Sequence, residues 1–362
     1  MIEFAERIRS AQQRMHDRGV DALCLSVGSD LPYLTGYKAM PLERLTMFVL
    51  PVEGGGTLVV PGLEAPRVDA KGMPFSVEGW GETEDPIAIV DAHLDGASNV
   101  LIGDETWSRF LVDLQGVRPF RTFGNAGELM AQLRIHKSED EIASLRSAAA
   151  TVDGVVGQLE DVRFSGRTER DVAREVTERT TADGHDTMDF WIVASGPNGA
   201  SPHHEPGDRV IESGDAVVVD FGGHQNGYAS DTTRMFVVQG APNGFDEAYE
   251  VLHRAQVAAV DSVRPGVTAE SIDAVAREII SEAGYGDLFI HRTGHGIGMD
   301  THEHPYLVEG NDQIIEEGMA FSIEPGIYRP GEWGMRIEDI VIVTRDGVER
   351  LNRTDRAYRV VT

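Results

Sequence analysis

The chain contains one sequence pattern twice, and each copy carries a carboxylate at the same place. Residues 211–222 read IESGDAVVVDFG and residues 315–326 read IEEGMAFSIEPG, so Asp220 and Glu324 occupy equivalent positions. The copies lie too far apart to be the short units of a solenoid. The repeat therefore predicts a duplicated half-domain in which two similar strands each deliver an acidic side chain.

The first copy continues into a predicted β-hairpin. Residues 217–219 are three consecutive valines, which is typical of a buried strand. Residues 226–227 are Asn-Gly, the dipeptide most favoured in a two-residue hairpin turn. This turn places Asp220 opposite Thr233. Because side chains alternate along a strand, Asp231 then points to the same face as Asp220.

Carboxylates gathered in this way need a counter-charge. Two of them on one buried face repel each other and lose their hydration, so something positive has to lie between them. In the second half of the chain, Glu338 precedes the apolar stretch 340–343 and is the counterpart of Asp231. Two facing hairpins would bring together Asp220, Asp231, Glu324 and Glu338. Four converging carboxylates predict a metal site.

Histidines provide the remaining chemical signal. His291 and His295 lie in HRTGHGIG, whose glycines exclude a stable helix and let the backbone approach a ligand closely. Beside the paired carboxylates, His295 becomes a candidate ligand. Two further pairs are His203 with His204 in SPHHEP, and His302 with His304 in THEHP. We expect one member of each pair to be a solvated loop residue, and the spacing does not identify which.

The first third of the chain alternates predicted helices and strands and carries no cluster of ligands. This pattern indicates an α/β domain with a mixed sheet. One of its predicted helices covers residues 63–70. The boundary to the second domain lies near Ser138 and Glu141, which have the spacing of a helix-capping box. We therefore expect domains at residues 1–132 and 133–362.

The formal net charge is −28, and the only lysines are Lys38, Lys71 and Lys137. So acidic a surface disfavours nucleic acid as a partner. The acidic residues are spread along the whole chain, which favours a surface adapted to a saline cytoplasm, since the Debye length shortens to about 3 Å at 1 M salt. The alternative is an ordinary acidic surface without such adaptation.

Three features favour a cytoplasmic protein without a membrane partner. No apolar run approaches the roughly 18 residues of a membrane span. The N-terminal segment has amphipathic helical spacing and acidic residues, unlike a signal peptide. Cys24 is the only cysteine, which excludes a disulfide framework, and its apolar surroundings indicate a buried, inert thiol.

Four stretches resemble the metal-binding motifs of the pita-bread metallopeptidases, in particular the Xaa-Pro dipeptidase and Xaa-Pro aminopeptidase branch. They read DFGGHQNGYASDTTR, HRTGHGIG, SIEPGIY and MRIED. Residues 133–146 are similar to the family's junction helix. The resemblance implies a creatinase-like N-terminal α/β domain with a mixed sheet, followed by a C-terminal pita-bread catalytic domain with a pseudo-twofold repeat.

The resemblance also implies two divalent metal ions. Their ligands would be Asp220, Asp231, His295, Glu324 and Glu338. Asp231 and Glu338 would bridge the ions, Asp220 would bind one of them, and His295 and Glu324 the other. This oxygen-rich set favours Mn, with Co and Fe also suitable and Zn disfavoured. A hydroxide held between the ions would attack the peptide carbonyl, and Glu324 would pass the proton.

Family positions imply roles for five further residues. His203 would contact the substrate carbonyl and His302 would stabilise the tetrahedral intermediate. His291 would line the leaving-group pocket, Arg336 would orient the bridging carboxylates, and Tyr328 would be a pocket residue. His204 and His304 keep no catalytic role.

The implied reaction is hydrolysis of the Xaa-Pro bond at the N-terminus of dipeptides or short peptides by a homodimer. One position departs from the family. Where dipeptidases commonly carry an arginine for the substrate's C-terminal carboxylate, this chain has Tyr306. Either Arg329 or Arg292 would have to replace it, so dipeptides and longer peptides both stay open as substrates.

Two other classes of function stay open. One is a metal-dependent hydrolase or lyase of a small non-peptide compound, such as an ectoine derivative. The other is a binding module without activity, which the retention of all five ligands disfavours.

We predict that raising KCl from about 0.1 M to about 2 M raises the melting temperature with metal saturating throughout. Repulsion between two neighbouring acidic side chains lowers the stability by up to about 1 kcal/mol before screening. The sum over dozens of such pairs is comparable to a typical free energy of unfolding of about 5–15 kcal/mol. Sucrose is the control, because it strengthens apolar burial without screening charge. Equal stabilisation by sucrose would leave the acidity as ordinary surface composition.

Overall fold

Two compact units make up the part of the chain that the computed structural model describes, residues 2–362. The first unit ends at Arg134 and the second begins at Ile135. Among the described residues, no helix has both the length and the apolar character needed to cross a membrane.

The first unit contains a six-stranded mixed sheet and five helices. The helices are α1 (Ile2–Asp17), α2 (Asp30–Thr35), α3 (Pro86–His93), α4 (Ser108–Val117) and α5 (Gly127–Arg134). The strands are β1 (Ala22–Leu25), β2 (Met47–Pro51), β3 (Gly56–Pro61), β4 (Phe75–Trp80), β5 (Asn99–Ile102) and β6 (Thr122–Asn125). The order is β4-β3-β2-β1-β5-β6, and only β1–β2 and β2–β3 pair antiparallel. The predicted α/β architecture with a mixed sheet is confirmed.

The helix predicted over residues 63–70 is wrong. This segment forms a single 3₁₀ turn, Ala65–Arg67, and none of its side chains is buried. Leu63, its largest apolar residue, is 56% exposed. Without an apolar face against the sheet, and with Pro66 lacking a backbone N–H donor, nothing extends the turn into a helix.

Cys24 lies in β1 and is fully buried. Burial raises the pKa of its thiol to about 12, so the thiolate does not form near neutral pH. The residue is therefore an inert part of the core of the first unit, as the sequence indicated.

The second unit combines long helices with twelve strands. The helices are α6 (Glu139–Leu159), α7 (Glu169–Ala182), α8 (Phe245–Ser262) and α9 (Ala269–Glu282). The strands are β7 (Thr187–Ser195), β8 (Ala216–Gln225), β9 (Tyr228–Ala229), β10 (Thr232–Val238), β11 (Gly294–Gly296), β12 (Glu303–Leu307), β13 (Ala320–Ile323), β14 (Gly326–Arg329), β15 (Trp333–Arg336), β16 (Asp339–Thr344), β17 (Gly347–Arg350) and β18 (Arg359–Val361). The capping box predicted at Ser138 and Glu141 begins α6.

These strands form two larger sheets and a ribbon. One sheet has the order β18-β10-β8-β7, with β9 added to β8, and the other has the order β12-β11-β13-β16-β17. Strands β14 and β15 form the ribbon. Strand β8 is buried on both faces, because Val217 and Val219 pack in the core of α6 and α7 while Val218 packs in the core of α8 and α9. This explains its uninterrupted run of valines.

The sequence repeat corresponds to a structural repeat. Ile211 N–H donates to the carbonyl of Arg167, and Ile315 N–H donates to the carbonyl of Val267, both at 2.8 Å. In each copy a glycine with positive φ, 89° and 85° respectively, follows three residues later and leads into β8 or β13. The pseudo-twofold arrangement is confirmed, and it delivers Asp220 and Glu324 from equivalent strands.

The hairpin adopts the predicted register. Asn226 and Gly227 have φ values of 53° and 80°, as the two-residue turn requires. Gln225 faces Tyr228, and Asp220 lies opposite Thr233. A slip by one residue would have turned Asp220 away from the site.

A buried ion pair joins the two halves of the second unit. Arg234 on β10 and Asp339 on β16 are both fully buried, and Nη2 of Arg234 lies 2.6 Å from Oδ1 of Asp339. The guanidinium also donates to the backbone carbonyls of Thr233 and Glu338, at 2.9 and 2.5 Å. The pair therefore fixes the backbone beside Glu338, one of the predicted ligands.

Replacing Arg234 by Met is expected to lower the free energy of unfolding by about 3–5 kcal/mol. The buried Asp339 loses the nearest of its three arginine partners, the others being Arg350 and Arg356, and two buried backbone carbonyls lose their donor. Urea unfolding of the metal-loaded protein, followed by circular dichroism, measures the change. The matched control is Arg174→Met in the exposed pair with Asp171, expected to cost at most about 1 kcal/mol. Similar losses in the two variants would contradict a structural role for the buried pair.

Candidate metal centre and active site

Five predicted ligands converge on one cavity in the second unit. Asp220 lies on β8, Asp231 follows β9, His295 lies on β11, Glu324 follows β13 and Glu338 precedes β16. All five line a cavity of about 1030 Å³. Ligand atoms of Asp231, His295 and Glu338 lie within 4.8 Å of one another. Nε2 of His295 lies 3.1 Å from Glu324.

Burial and mutual repulsion make this cluster unfavourable without a cation. Burial and the charge of Glu338 hold the pKa of Asp231 well above its usual range. Burial and the charges of Glu324 and Asp220 do the same to the pKa of Glu338. Burial opposes ionisation of Glu324, but the hydrogen bond with His295 lowers its pKa to about 2. Metal ions relieve the repulsion and replace the lost hydration while the carboxylates stay ionised.

Two buried oxygen atoms mark where such ions fit. Oδ1 of Asp220 and Oε1 of Glu338 have no hydrogen-bond partner among the described residues. An unpaired buried oxygen of this kind is costly, by about 1–3 kcal/mol or more when it is charged. With four carboxylates and one imidazole, the donor set suits a hard divalent cation.

Arg336 and Thr233 orient the carboxylates. The guanidinium of Arg336 binds Asp220, and its other nitrogens donate to the hydroxyls of Thr233 (3.0 Å) and Tyr328 (2.7 Å). The hydroxyl of Thr233 in turn donates to Glu338 at 2.8 Å. Thr233 therefore connects both hairpins. The sequence identified Thr233 only as the residue opposite Asp220 in the hairpin. A single threonine in a strand belongs to no motif that would have indicated its role at the site.

The other predicted histidines lie around the same cavity. His203, His291 and His302 all line it. The ring centroid of His302 lies 4.1 Å from that of His295. Partial burial, together with repulsion from His295, lowers the pKa of His302 to about 4, so this ring is neutral near pH 7. Nε2 of His291 lies 2.8 Å from the hydroxyl of Tyr328, which joins the two predicted pocket residues.

His204 and His304 do not share this arrangement. His304 is exposed and packs beside Tyr306, outside the residues that line the cavity. His204 also lines the cavity, but its Nε2 lies 2.8 Å from the fully buried carboxylate of Glu169. Each pair does have a solvated member, because His203 and both histidines of the second pair are exposed. The expectation that His204 is the solvated member of its pair is wrong, because Glu169 draws that ring inward.

Glu169, the first residue of α7, was missed by sequence reasoning. It is fully buried and accepts hydrogen bonds from the backbone and hydroxyl of Ser195, the amide of Asn198 and the backbone of Gly207, at 2.7–3.2 Å. These contacts tie residues 195–207, including His203, to the start of a helix. An acidic residue after a helix cap is too common to reveal such a role.

Models of two protein families match the chain. Metallopeptidase family M24 matches residues 143–345, and the creatinase/prolidase N-terminal domain matches residues 7–136. The chain is 35% identical to the Xaa-Pro dipeptidase of Lactobacillus helveticus, over 97% of each chain. The crystal structure of prolidase from Thermococcus sibiricus covers 100% of both chains at 36% identity and a TM-score of 0.95. That of dipeptidase PepE from Mycobacterium ulcerans covers 99% of this chain and 98% of its own, at 41% identity and a TM-score of 0.93.

We predict that Glu169→Gln lowers the peptidase rate by about ten- to a hundredfold while metal content stays unchanged, because a loosened loop misplaces His203. The glutamine nitrogen donates rather than accepts, so it opposes the surrounding N–H groups. Rate assays and metal analysis of the purified variant measure the two effects. Glu178→Gln, an exposed change on the same helix, is the control. An unchanged rate in Glu169→Gln would show that the loop does not need this anchor.

Proposed function

This chain belongs to metallopeptidase family M24, and from that premise we propose that it hydrolyses the Xaa-Pro bond at the N-terminus of dipeptides or short peptides. As a family member it is a metal-dependent peptidase. The observation that carries the finer proposal is the single cavity in which five ligand residues meet His203 and His302. Similarity to an Xaa-Pro dipeptidase and to a prolidase supports the same substrate class.

The residues that would hold the metal are Asp220, Asp231, His295, Glu324 and Glu338. We propose two divalent ions, with Asp231 and Glu338 between them. Manganese suits the carboxylate-rich set best, Co and Fe also fit, and Zn fits less well. When bound, such ions polarise the scissile carbonyl and activate the attacking water at neutral pH.

The chain's own residues would move the protons and bind the developing charge. Glu324 has a pKa of about 2 and is therefore ionised at neutral pH. It can accept a proton from the attacking water and return it to the leaving amine. His302, with a pKa of about 4, is a neutral imidazole that can donate one hydrogen bond to the negative oxygen of the tetrahedral intermediate. His203, elsewhere on the cavity wall, would bind the substrate carbonyl.

On the leaving-group side, three residues form a connected unit. His291 contacts the hydroxyl of Tyr328, which accepts a hydrogen bond from Arg336. Burial lowers the pKa of His291, so it remains a neutral ring. The neutral ring of His291, held in place by the buried Tyr328, offers the proline ring a surface of fixed shape on the cavity wall.

Three expectations from the sequence remain predictions: a homodimer, a cytoplasmic location and adaptation to salt. The net charge of −28 supports the last of them, and the substrate assignment depends on none of the three.

A peptide panel tests the proposed function. With Mn²⁺ added, the purified protein is expected to cleave Ala-Pro or Ala-Pro-Ala and to leave Ala-Ala and small acylated amines intact. The physical reason is that the fixed ring of His291 would pack against a proline ring, which Ala-Ala and the acylated amines lack. Cleavage of the acylated amines alone would replace the peptidase by a hydrolase of small compounds.

The variant Asp231→Asn is expected to lower the bound metal from two ions to one or none and to abolish turnover, because this carboxylate would touch both ions. Metal analysis after gel filtration, with the panel assay, measures both. Asp189→Asn is the matched control, since Asp189 also lines the cavity but pairs with His224 at 2.6 Å. Two ions and a normal rate in Asp231→Asn would refute the bridging assignment.

A further inference from the structure

One buried ion pair in the second unit lies outside the metal-centre cavity. Lys137, just before α6, has a side chain that is 1% exposed, whereas Lys38 and Lys71 are exposed. Its ammonium lies 3.0 Å from Oε2 of Glu303, the first residue of β12, whose side chain is 7% exposed. Neither residue lines the cavity. A lysine is almost never buried so completely without a partner, so Lys137 and Glu303 depend on each other.

Glu303 directly follows His302 and closes the loop that carries this histidine. Its Oε1 accepts a hydrogen bond from the backbone N–H of Asp300 at 3.0 Å. The same carboxylate packs on Gly298, where a Cβ atom would come within 2.7 Å of Oε1. The loop 298–303 is therefore folded around one carboxylate. Lys137 supplies the positive charge that keeps this carboxylate inside the protein.

The other end of this loop is attached to the first hairpin. Nε2 of His224, on β8, lies 2.7 Å from the backbone carbonyl of Met299. Between the two attachments lies His302, whose ring contacts that of His295 and forms no hydrogen bond with a residue that the structure describes. The position of the His302 ring therefore depends mainly on the backbone of the loop, and so on what holds each end of it.

We propose that Lys137 is a positioning residue for the reaction: through Glu303 it holds the imidazole of His302 at the place where the tetrahedral intermediate forms. This inference rests on the proposed function, in which His302 donates a hydrogen bond to the negative oxygen. Such stabilisation depends steeply on geometry, because a displacement of about 1 Å can lower the rate about a hundredfold. Without Lys137, Glu303 would be a buried charge without a cation, and the loop would open as its carboxylate turned toward water.

Kinetics with saturating Mn²⁺, on whichever of Ala-Pro and Ala-Pro-Ala the wild type cleaves faster, test the proposal together with metal analysis. Lys137→Met is expected to lower kcat by about ten- to a hundredfold, with KM within about twofold and metal content unchanged. Glu303→Asp keeps the charge pair but shortens the side chain that closes the loop, so a similar loss is expected. This second variant leaves no unpaired buried charge and serves if Lys137→Met does not fold. Lys71→Met removes an exposed lysine and is expected to leave kcat unchanged.

The decisive comparison repeats both changes in the His302→Ala variant, which alone is expected to lose about 10²–10³-fold in kcat. A residue that acts through His302 then has nothing left to position. Lys137→Met and Glu303→Asp are therefore expected to add less than about twofold to that loss. A role in stability alone would instead lower the melting temperature and leave the kcat of the folded protein unchanged.

Three results would overturn the inference while leaving the proposed function intact. They are an unchanged kcat in both Lys137→Met and Glu303→Asp, the same fold loss with and without the His302 imidazole, or a normal kcat in His302→Ala alone. Failure of the wild type to cleave either peptide would instead refute the proposed function.

Discussion

Repulsion among buried carboxylates is the constraint on which the second unit depends. Ionising both Asp231 and Glu338 at their buried positions is unfavourable, as their raised pKa values show. The oxygen atoms of Asp220 and Glu338 that lack a hydrogen-bond partner among the described residues make the cluster less favourable still. The surrounding fold has to keep these groups together until cations neutralise them. Strong, local hydrogen bonding from Arg336 and Thr233 provides that support from one side.

Buried polar contacts outside the cavity hold the backbone that carries the active-site residues. Arg234 and Asp339 bind each other across the two halves and hold the backbone at Glu338. Glu169 does the same for the loop that carries His203. In both places a fully buried charge has several donors or acceptors around it, which makes the local geometry rigid and intolerant of change. The active-site groups thus rest on elements whose own positions are fixed.

Much of this site could be predicted because its signals are local in the sequence. The Asn-Gly turn sets the register that places Asp220 opposite Thr233, and the repeat identifies Glu324 as a second copy of Asp220. Contacts between distant residues carry no such signal. The pairing of Glu169 with His204 depends on where a helix start and a separate loop meet, which spacing does not encode. The wrong helix over residues 63–70 shows the same limit, since exposure rather than propensity decided it.

The duplicated half-domain has a consequence for how a substrate is oriented. A site built on a twofold axis treats both ends of a ligand alike, whereas a peptide has a direction. Pairing partners show where the symmetry is broken: Phe321 pairs with Gly296, its counterpart Val217 pairs with Ser195, and the residue equivalent to His295 is therefore Ala194. One half offers carboxylates alone and the other adds an imidazole. This difference makes the two sides of the cavity chemically distinct, which the binding of a ligand with a direction requires.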